Sequence, residues 1–297
     1  MRHDDGNFAR SAPPKIGFAG DPRALETALI PAFARTPAVL RYVACANVRT
    51  AIRLGRRFRF PEATTRFDRL LDDPELTAIV IARDGDETTN HVRAALSAGK
   101  RVLSDAVSWL DFESPPGELS CPRFDATIAA ALERGRLAAG FHRRHAPLIV
   151  RARELLAESN ERRTMELVVR GGTEANAASH GVDLLAYLCP RPIAAIERRA
   201  KMGHVAVTLR FVDGSRGSVR FEPVSAGGFR ERLTVVVGDR SIAVTDFRRL
   251  RGVGFDGACR KTLWRADDGR VEMARRFVES SADLTIPSRR LRAVRSR

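Results

Sequence analysis

The sequence predicts an α/β chain: a doubly wound parallel sheet followed by an α+β domain with an open, mostly antiparallel sheet. Three observations predict it. Over residues 14–143, short apolar runs alternate with helical segments, the pattern of buried parallel strands joined by crossover helices. Beyond 143, alternating strands follow in quick succession, with turns at Asp213-Gly214 and Gly238-Asp239, which reads as antiparallel pairing. A length of 297 residues is too great for one small core and suits two.

The elements follow in order. Residues 1–14 read as a loose tail ending in Pro13-Pro14. Lys15 to Gly20 (KIGFAG) is an apolar run closed by glycine, a buried strand. Arg23 to Phe33 reads as a helix, Leu40 to Ala46 as the second strand and Thr50 to Phe58 as helical. Thr77 to Ala82 (TAIVIA) is an apolar, β-branched strand. Thr89 to Ala98 is helical and stops at Gly99, a C-cap signal. Arg101 to Ser104 is a strand, Phe124 to Arg134 a helix capped by Gly135, and Arg136 to Phe141 a further strand. The first domain is therefore 15–143 and the second 144–288. The second opens on a long amphipathic helix, Ala146 to Glu158. Strands follow at Thr164 to Arg170, His204 to Val212, Arg216 to Glu222, Arg230 to Val237 and Ser241 to Thr245. Arg270 to Ser280 is a late helix, and 289–297 is a basic tail with five arginines and no acid.

Composition excludes several classes. With 29% charged and 44% hydrophobic residues the chain is ordinary globular protein rather than disordered. No run of about 18 apolar residues occurs, so no membrane segment is expected. The polar start lacks the apolar core of a secretory signal. Cys45, Cys121, Cys189 and Cys259 are far apart without C-x-x-C spacing, so no metal site is expected and reduced thiols in a cytoplasm are. The net charge is +15, yet only four of the 51 basic residues are lysines and the arginines are scattered. Aromatics are 6% and no nucleic-acid motif is present, so the sequence does not favour a nucleic-acid partner. A phosphorylated small molecule fits the surplus.

Ligands of a doubly wound sheet sit at the carboxyl ends of its strands. The first such end is Gly17-Phe18-Ala19-Gly20-Asp21-Pro22-Arg23-Ala24-Leu25. A dinucleotide turn wants G-x-G-x-x-G, so that backbone can approach the pyrophosphate. Gly20 supplies the first glycine, but the second falls on Pro22 and the third on Leu25. The alternative is a tight strand-to-helix turn without a ligand. The second strand ends at Ala46-Asn47-Val48-Arg49, with no acid for a ribose 2′-hydroxyl. Asn47 and Arg49 suit a 2′-phosphate, which favours NADP over NAD. A solvated arginine at a helix start is the plain alternative for Arg49.

Several segments, in order, resemble one family. They are KIGFAG at 15–20, RFDRLLDDPELTAIVIA at 66–82, HVRAALSAGKRVLSD at 91–105, GFHRRHAPLIVRARELL at 140–156, ASHGVDLLAYL at 178–188 and the late helix RVEMARRFVES. The chain from about 15 to 290 resembles the Gfo/Idh/MocA oxidoreductases (glucose–fructose oxidoreductase, inositol dehydrogenase and relatives). The resemblance implies a Rossmann domain, NAD(P)-linked redox chemistry on sugars, polyols or related carbonyls, and homo-oligomers through the C-terminal sheet. It implies cofactor contacts at Gly17, Gly20, Asp21, Asn47, Arg49, Ala82, Arg83 and Asp105.

The chain also departs from that family. Its E-K-P motif, which carries a general-acid/base Lys, aligns with Asp105-Ala106-Val107, and Ala106 cannot carry a proton. The family's D-x-x-x-H reads Asn176-Ala177-Ala178-Ser179-His180. His180 remains as the candidate catalytic group, suited to donating a proton to a reduced carbonyl. Asp183, one turn on, shares a helix face and could orient it. His91 and His142 read as surface or packing residues, Trp109 and Trp264 as packing residues. Two functions compete: a divergent NAD(P)-dependent oxidoreductase on a carbonyl or alcohol substrate, and a non-catalytic relative, a regulator or complex subunit. Ala106 and Pro22 favour the second; the His180–Asp183 pair favours the first.

Overall fold

The computed structural model describes residues 12–82, 87–104, 130–131, 134–157, 159–171, 174–201, 204–223, 229–255, 260–263 and 267–279. Two sheets organise the chain. The first is six-stranded and wholly parallel, in the order β3-β2-β1-β4-β5-β6. Its strands are β1 (Lys15–Ala19), β2 (Val39–Ala44), β3 (Glu62–Thr64), β4 (Ala78–Ile81), β5 (Arg101–Ser104) and β6 (Leu137–Ala139). This is the doubly wound order in which the chain reverses direction between β1 and β4, opening a crevice at their carboxyl ends.

The apolar runs form these strands because both faces are covered. Ala78–Ile81 is buried at every position. Phe18, Phe33 and Phe60 stack edge to face on one side, while Ile79, Ile81 and Leu70 pack on the other. Helix α1 spans 22–33. It starts as a tight turn over Pro22–Ala24, widens to π geometry over Leu25–Leu29 and closes as α over Ile30–Phe33. Pro31 has no N–H to give the preceding turn, and Ile30 N donates back to the Leu25 carbonyl five residues away. Helices α2 (Val48–Phe58), α3 (Asp68–Asp72) and α4 (Glu87–Ser97) complete the described crossovers.

The second sheet has eight strands in the order β14-β13-β12-β11-β7-β10-β9-β8. They are β7 (Arg163–Arg170), β8 (Ile193–Lys201), β9 (His204–Phe211), β10 (Arg216–Glu222), β11 (Arg230–Val237), β12 (Arg240–Thr245), β13 (Arg249–Val253) and β14 (Arg260–Thr262). All neighbours are antiparallel except β7 and β10, which run parallel. Helices α5 (Pro147–Ala157) and α6 (Glu174–Leu188) cover one face. The strict alternation of β7, buried at Arg163, Met165, Leu167 and Val169, points that face inward. Buried Arg163 ties the layer together: it donates to the Leu156 carbonyl at 2.7 Å and to the Leu188 carbonyl, the last turns of α5 and α6. A cation at two helix C-termini meets the orphan carbonyls of both.

Helix α7 (Arg270–Val278) belongs by sequence to the second half, yet it packs into the core of the first sheet. Met273, Ala274, Phe277 and Val278 join the cluster of Phe18, Phe33 and Leu103. Arg101 lies over the Phe277 ring at 4.7 Å and donates to the Phe277 carbonyl at 2.7 Å.

Sequence reading missed β3, β8, β13 and β14. The edge strands β3 and β14 carry no buried apolar residue, so they have no periodic signal to read.

Candidate functional site

The crevice at the β1/β4 switch begins with Gly20. Its φ is +114°, and a Cβ there would overlap the Ala82 carbonyl oxygen. Glycine is therefore required by the passing end of β4, independently of any ligand. Ala82 is fully buried and its N–H donates to the Ala19 carbonyl at 2.8 Å. Gly17 lies within β1, with Leu70 and Leu76 packed against it.

Asp21 is the N-cap of α1. Its Oδ1 accepts from Arg23 N at 2.7 Å and from Ala24 N at 3.4 Å. Pro22 has no N–H, and Leu25 N donates to the Asp21 carbonyl at 3.0 Å. Every donor of the first turn is thus accounted for within the chain. Leu25, at the third glycine position, is fully buried. Among the described residues no cation is paired with Asp21. At the end of β2, the Asn47 side-chain oxygen accepts from Thr50 N at 3.2 Å and caps α2. Arg49 is exposed beside it.

The second part of the site forms where β5 and β6 end. Gly140 N donates to the Ser104 carbonyl at 2.8 Å, and the chain turns into a 3₁₀ helix, His142–His145. All four residues of this HRRH turn are buried. Gly269, at φ +85°, lies against the turn so closely that a Cβ would overlap the His142 carbonyl oxygen and the Ala146 nitrogen. Arg144 grips Asp183, with Nε 3.0 Å from Oδ2 and the second amine on Oδ1. Arg143 forms a buried ion pair with Glu231, and the half-buried Arg270 pairs with Asp268. Charges so deep must be paired.

His180 sits inside this frame. Its ring meets that of His142 at 4.8 Å and that of Phe141 at 5.7 Å, both edge to face. Its Nδ1 is buried with no hydrogen-bond partner. Nearby, Ser179 Oγ and Ser104 Oγ are buried without partners too. Burial, then the guanidinium groups of Arg143, Arg270 and Arg144, push the His180 pKa well below the ordinary imidazole value. Burial, Arg270 and His180 do the same to His142. Burial raises the Glu231 carboxyl. Both imidazoles are therefore neutral at neutral pH, and the same burial and guanidinium groups oppose a positive charge on either ring.

Asp183 holds Arg144, and the ion pair draws its carboxylate toward the HRRH turn. His142, read as a surface or packing residue, is buried and packs its ring on that of His180. The signal for it was the HRRH run itself, four polar residues following directly on a buried strand. His91 is a packing residue, its ring 4.2 Å from that of Phe67. Arg83, Asp105, Ala106, Trp109 and Trp264 lie outside the described residues, as do the Asn176 side chain and most of the 124–134 segment. Among the described residues no group of His, Cys, Asp or Glu could hold a metal ion. No described helix is long and apolar enough to cross a membrane.

No family model matches the chain, and no curated protein does. Solved structures do match its fold over nearly the whole length. A levoglucosan dehydrogenase in complex with NADH and levoglucosan matches with a TM-score of 0.73 at 18% identity, covering 91% of this chain and 90% of its own. GenD2 from gentamicin A biosynthesis, in complex with NAD, gives 0.72 at 19% identity, covering 96% and 95%. KijD10, a 3-ketoreductase from Actinomadura kijaniata in complex with TDP-benzene and NADP, gives 0.72 at 16% identity, covering 95% and 93%. At identities below 20% these likenesses show the fold: a doubly wound parallel sheet followed by a mostly antiparallel one.

Proposed function

We propose that the chain is a divergent NAD(P)-dependent oxidoreductase of the Gfo/Idh/MocA type, acting on a sugar, polyol or related carbonyl compound. One observation carries the reading: His180, buried beside His142 near the ends of β5 and β6, keeps Nδ1 without a partner. A buried polar atom left unpaired costs free energy, and a substrate hydroxyl would satisfy it. Ser104 Oγ, unpaired at the end of β5, adds a second unsatisfied group where a doubly wound sheet presents its ligand.

The nicotinamide cofactor, when bound, takes or gives the hydride. Asn47 and Arg49 would hold a ribose 2′-phosphate, which favours NADP, and Gly17, Gly20, Ala82, Arg83 and Asp105 would contact the rest of the cofactor. The His180 imidazole hydrogen-bonds the substrate oxygen and shares its proton in the transition state, in either direction of the reaction, while the neighbouring guanidinium groups oppose a standing positive charge on the ring. His142 packs its ring on His180 and fixes its plane. Arg144 and Asp183 hold the turn and α6 together. The expected gain from a positioned base is about 10²–10⁴-fold in rate. The reading also assigns the chain to the cytoplasm, with the Cys45 and Cys189 side chains buried, and a second copy of itself to the open face of the second sheet.

The test is calorimetric titration with NADPH and NADH, followed by turnover of a panel of sugars and polyols. Micromolar binding, tighter for NADPH, supports the reading; absence of binding to either refutes it. In that case the non-catalytic alternative, favoured by the self-capped first turn, takes its place.

A further inference from the structure

The first turn holds an anion of its own. In a doubly wound sheet the pyrophosphate sits at the N-terminus of the first helix and accepts from its free N–H groups. Here those groups are Arg23 N and Ala24 N, and the Asp21 carboxylate already occupies both. Pro22 supplies no third donor. Leu25 N is spent on the Asp21 carbonyl. The only cation on the turn itself, Arg23, is exposed, and Glu26 one turn on is claimed by Arg53 at 2.8 Å and by Arg57. Among the described residues of this turn, a dinucleotide meets no unoccupied donor and one unpaired negative charge.

We infer that Asp21 is an internal competitor for the cofactor pyrophosphate: its carboxylate must leave Arg23 N and Ala24 N before a dinucleotide can seat. The residue thus sets cofactor affinity from inside the turn. It selects for ligands whose grip lies elsewhere, at Asn47 and Arg49, and against those held mainly by pyrophosphate. The inference rests on the NAD(P) reading and deepens it.

The physics gives the sign of a test. An ordinary N-cap stabilises its helix, and its loss costs stability without improving ligand binding. A competitor behaves in the opposite way: removing it improves binding. Two variants separate charge from occupancy. Asp21→Asn keeps a capping oxygen and removes the charge. Asp21→Gly removes both and leaves the donors free. Each variant, checked for folding by thermal denaturation, is titrated calorimetrically with NADPH, NADH and adenosine 2′-monophosphate, which has no pyrophosphate.

The expected order of dinucleotide affinity is Asp21→Gly, then Asp21→Asn, then the parent chain. The glycine variant gains at least about tenfold, the size of one removed like-charge contact near a surface. Affinity for adenosine 2′-monophosphate stays the same in all three. Dinucleotide binding that is unchanged or weaker in a folded Asp21→Gly overturns the inference and leaves the NAD(P) reading standing. So does an equal gain for adenosine 2′-monophosphate. Failure of every variant to bind either dinucleotide overturns both.

Discussion

The two halves of the crevice treat their polar groups in opposite ways. Around the β1–α1 turn, each N–H of the first helical turn is satisfied within the chain, by Asp21 or by its backbone. Around the HRRH turn, the charged groups are paired, but His180 Nδ1, Ser179 Oγ and Ser104 Oγ are left without partners. Folding alone explains the first arrangement. It does not explain the second, because unpaired buried groups are selected against unless something else uses them. The first turn is complete without a ligand; the second leaves three buried polar atoms for one to satisfy.

Four experiments would break or sharpen this contrast, beginning with the largest effect. Gly269→Ala forces a Cβ into the backbone of the HRRH turn at a positive φ. It is expected to destabilise the chain by more than about 3 kcal/mol in urea unfolding; a loss under about 1 kcal/mol would mean the turn is not held as described. His180→Leu tests function against packing. Turnover should fall by roughly 10²–10⁴-fold while stability stays within about 1 kcal/mol, since an unpaired polar atom is removed. Retained turnover would dismiss the residue as a base.

Acidification probes the same cluster. The folded-state pKa values of His142 and His180 lie well below their unfolded value near 6.5. Below pH 6.5 the unfolded chain binds protons that the folded chain refuses, so stability is full above 6.5 and is lost as pH falls. Glu231, with its raised pKa, works in the opposite sense and offsets part of this. The net loss should be roughly 1–3 kcal/mol per pH unit between 6.5 and 5, measured by urea midpoints; a flat profile would show both rings protonated in the fold.

The smallest effect concerns the open face of the second sheet. Glu166, Glu197 and Glu222 there are engaged by Arg220, Arg210 and Arg170. Arg232, Arg249, Arg251 and Arg260 share that face by register and have no acid partner among the described residues. Two copies meeting through it would set like charges together. Self-association should therefore strengthen modestly, a few-fold, as salt rises from 0.05 to about 0.5 M. Weakening with salt, in sedimentation, would rule out that face as the contact.

Much of the first sheet could be read from sequence because its strands are continuous apolar runs, as in TAIVIA, and burial on both faces leaves no other reading. The strand ends at Gly20 and Asn47 were legible for the same reason. The HRRH turn was not. Two histidines and two arginines in a row look solvated, and their burial depends on Asp183, Glu231 and Gly269, which arrive from distant parts of the chain. The partner of Asp183 was hidden for a related reason: helical spacing pointed to His180 on its own helix, whereas the guanidinium on its carboxylate, Arg144, comes from another element.

Helix α7 gives the fold a timetable. The core around Phe18 and Phe33 is closed by Phe277, so the earliest strands to be made wait for nearly the last helix. At a synthesis rate of about 5–20 residues per second, the gap between β6 and α7 is roughly 7–28 s. During that interval the first sheet stands on the ribosome with one apolar flank open, a natural stopping place for a chaperone and for a protease alike.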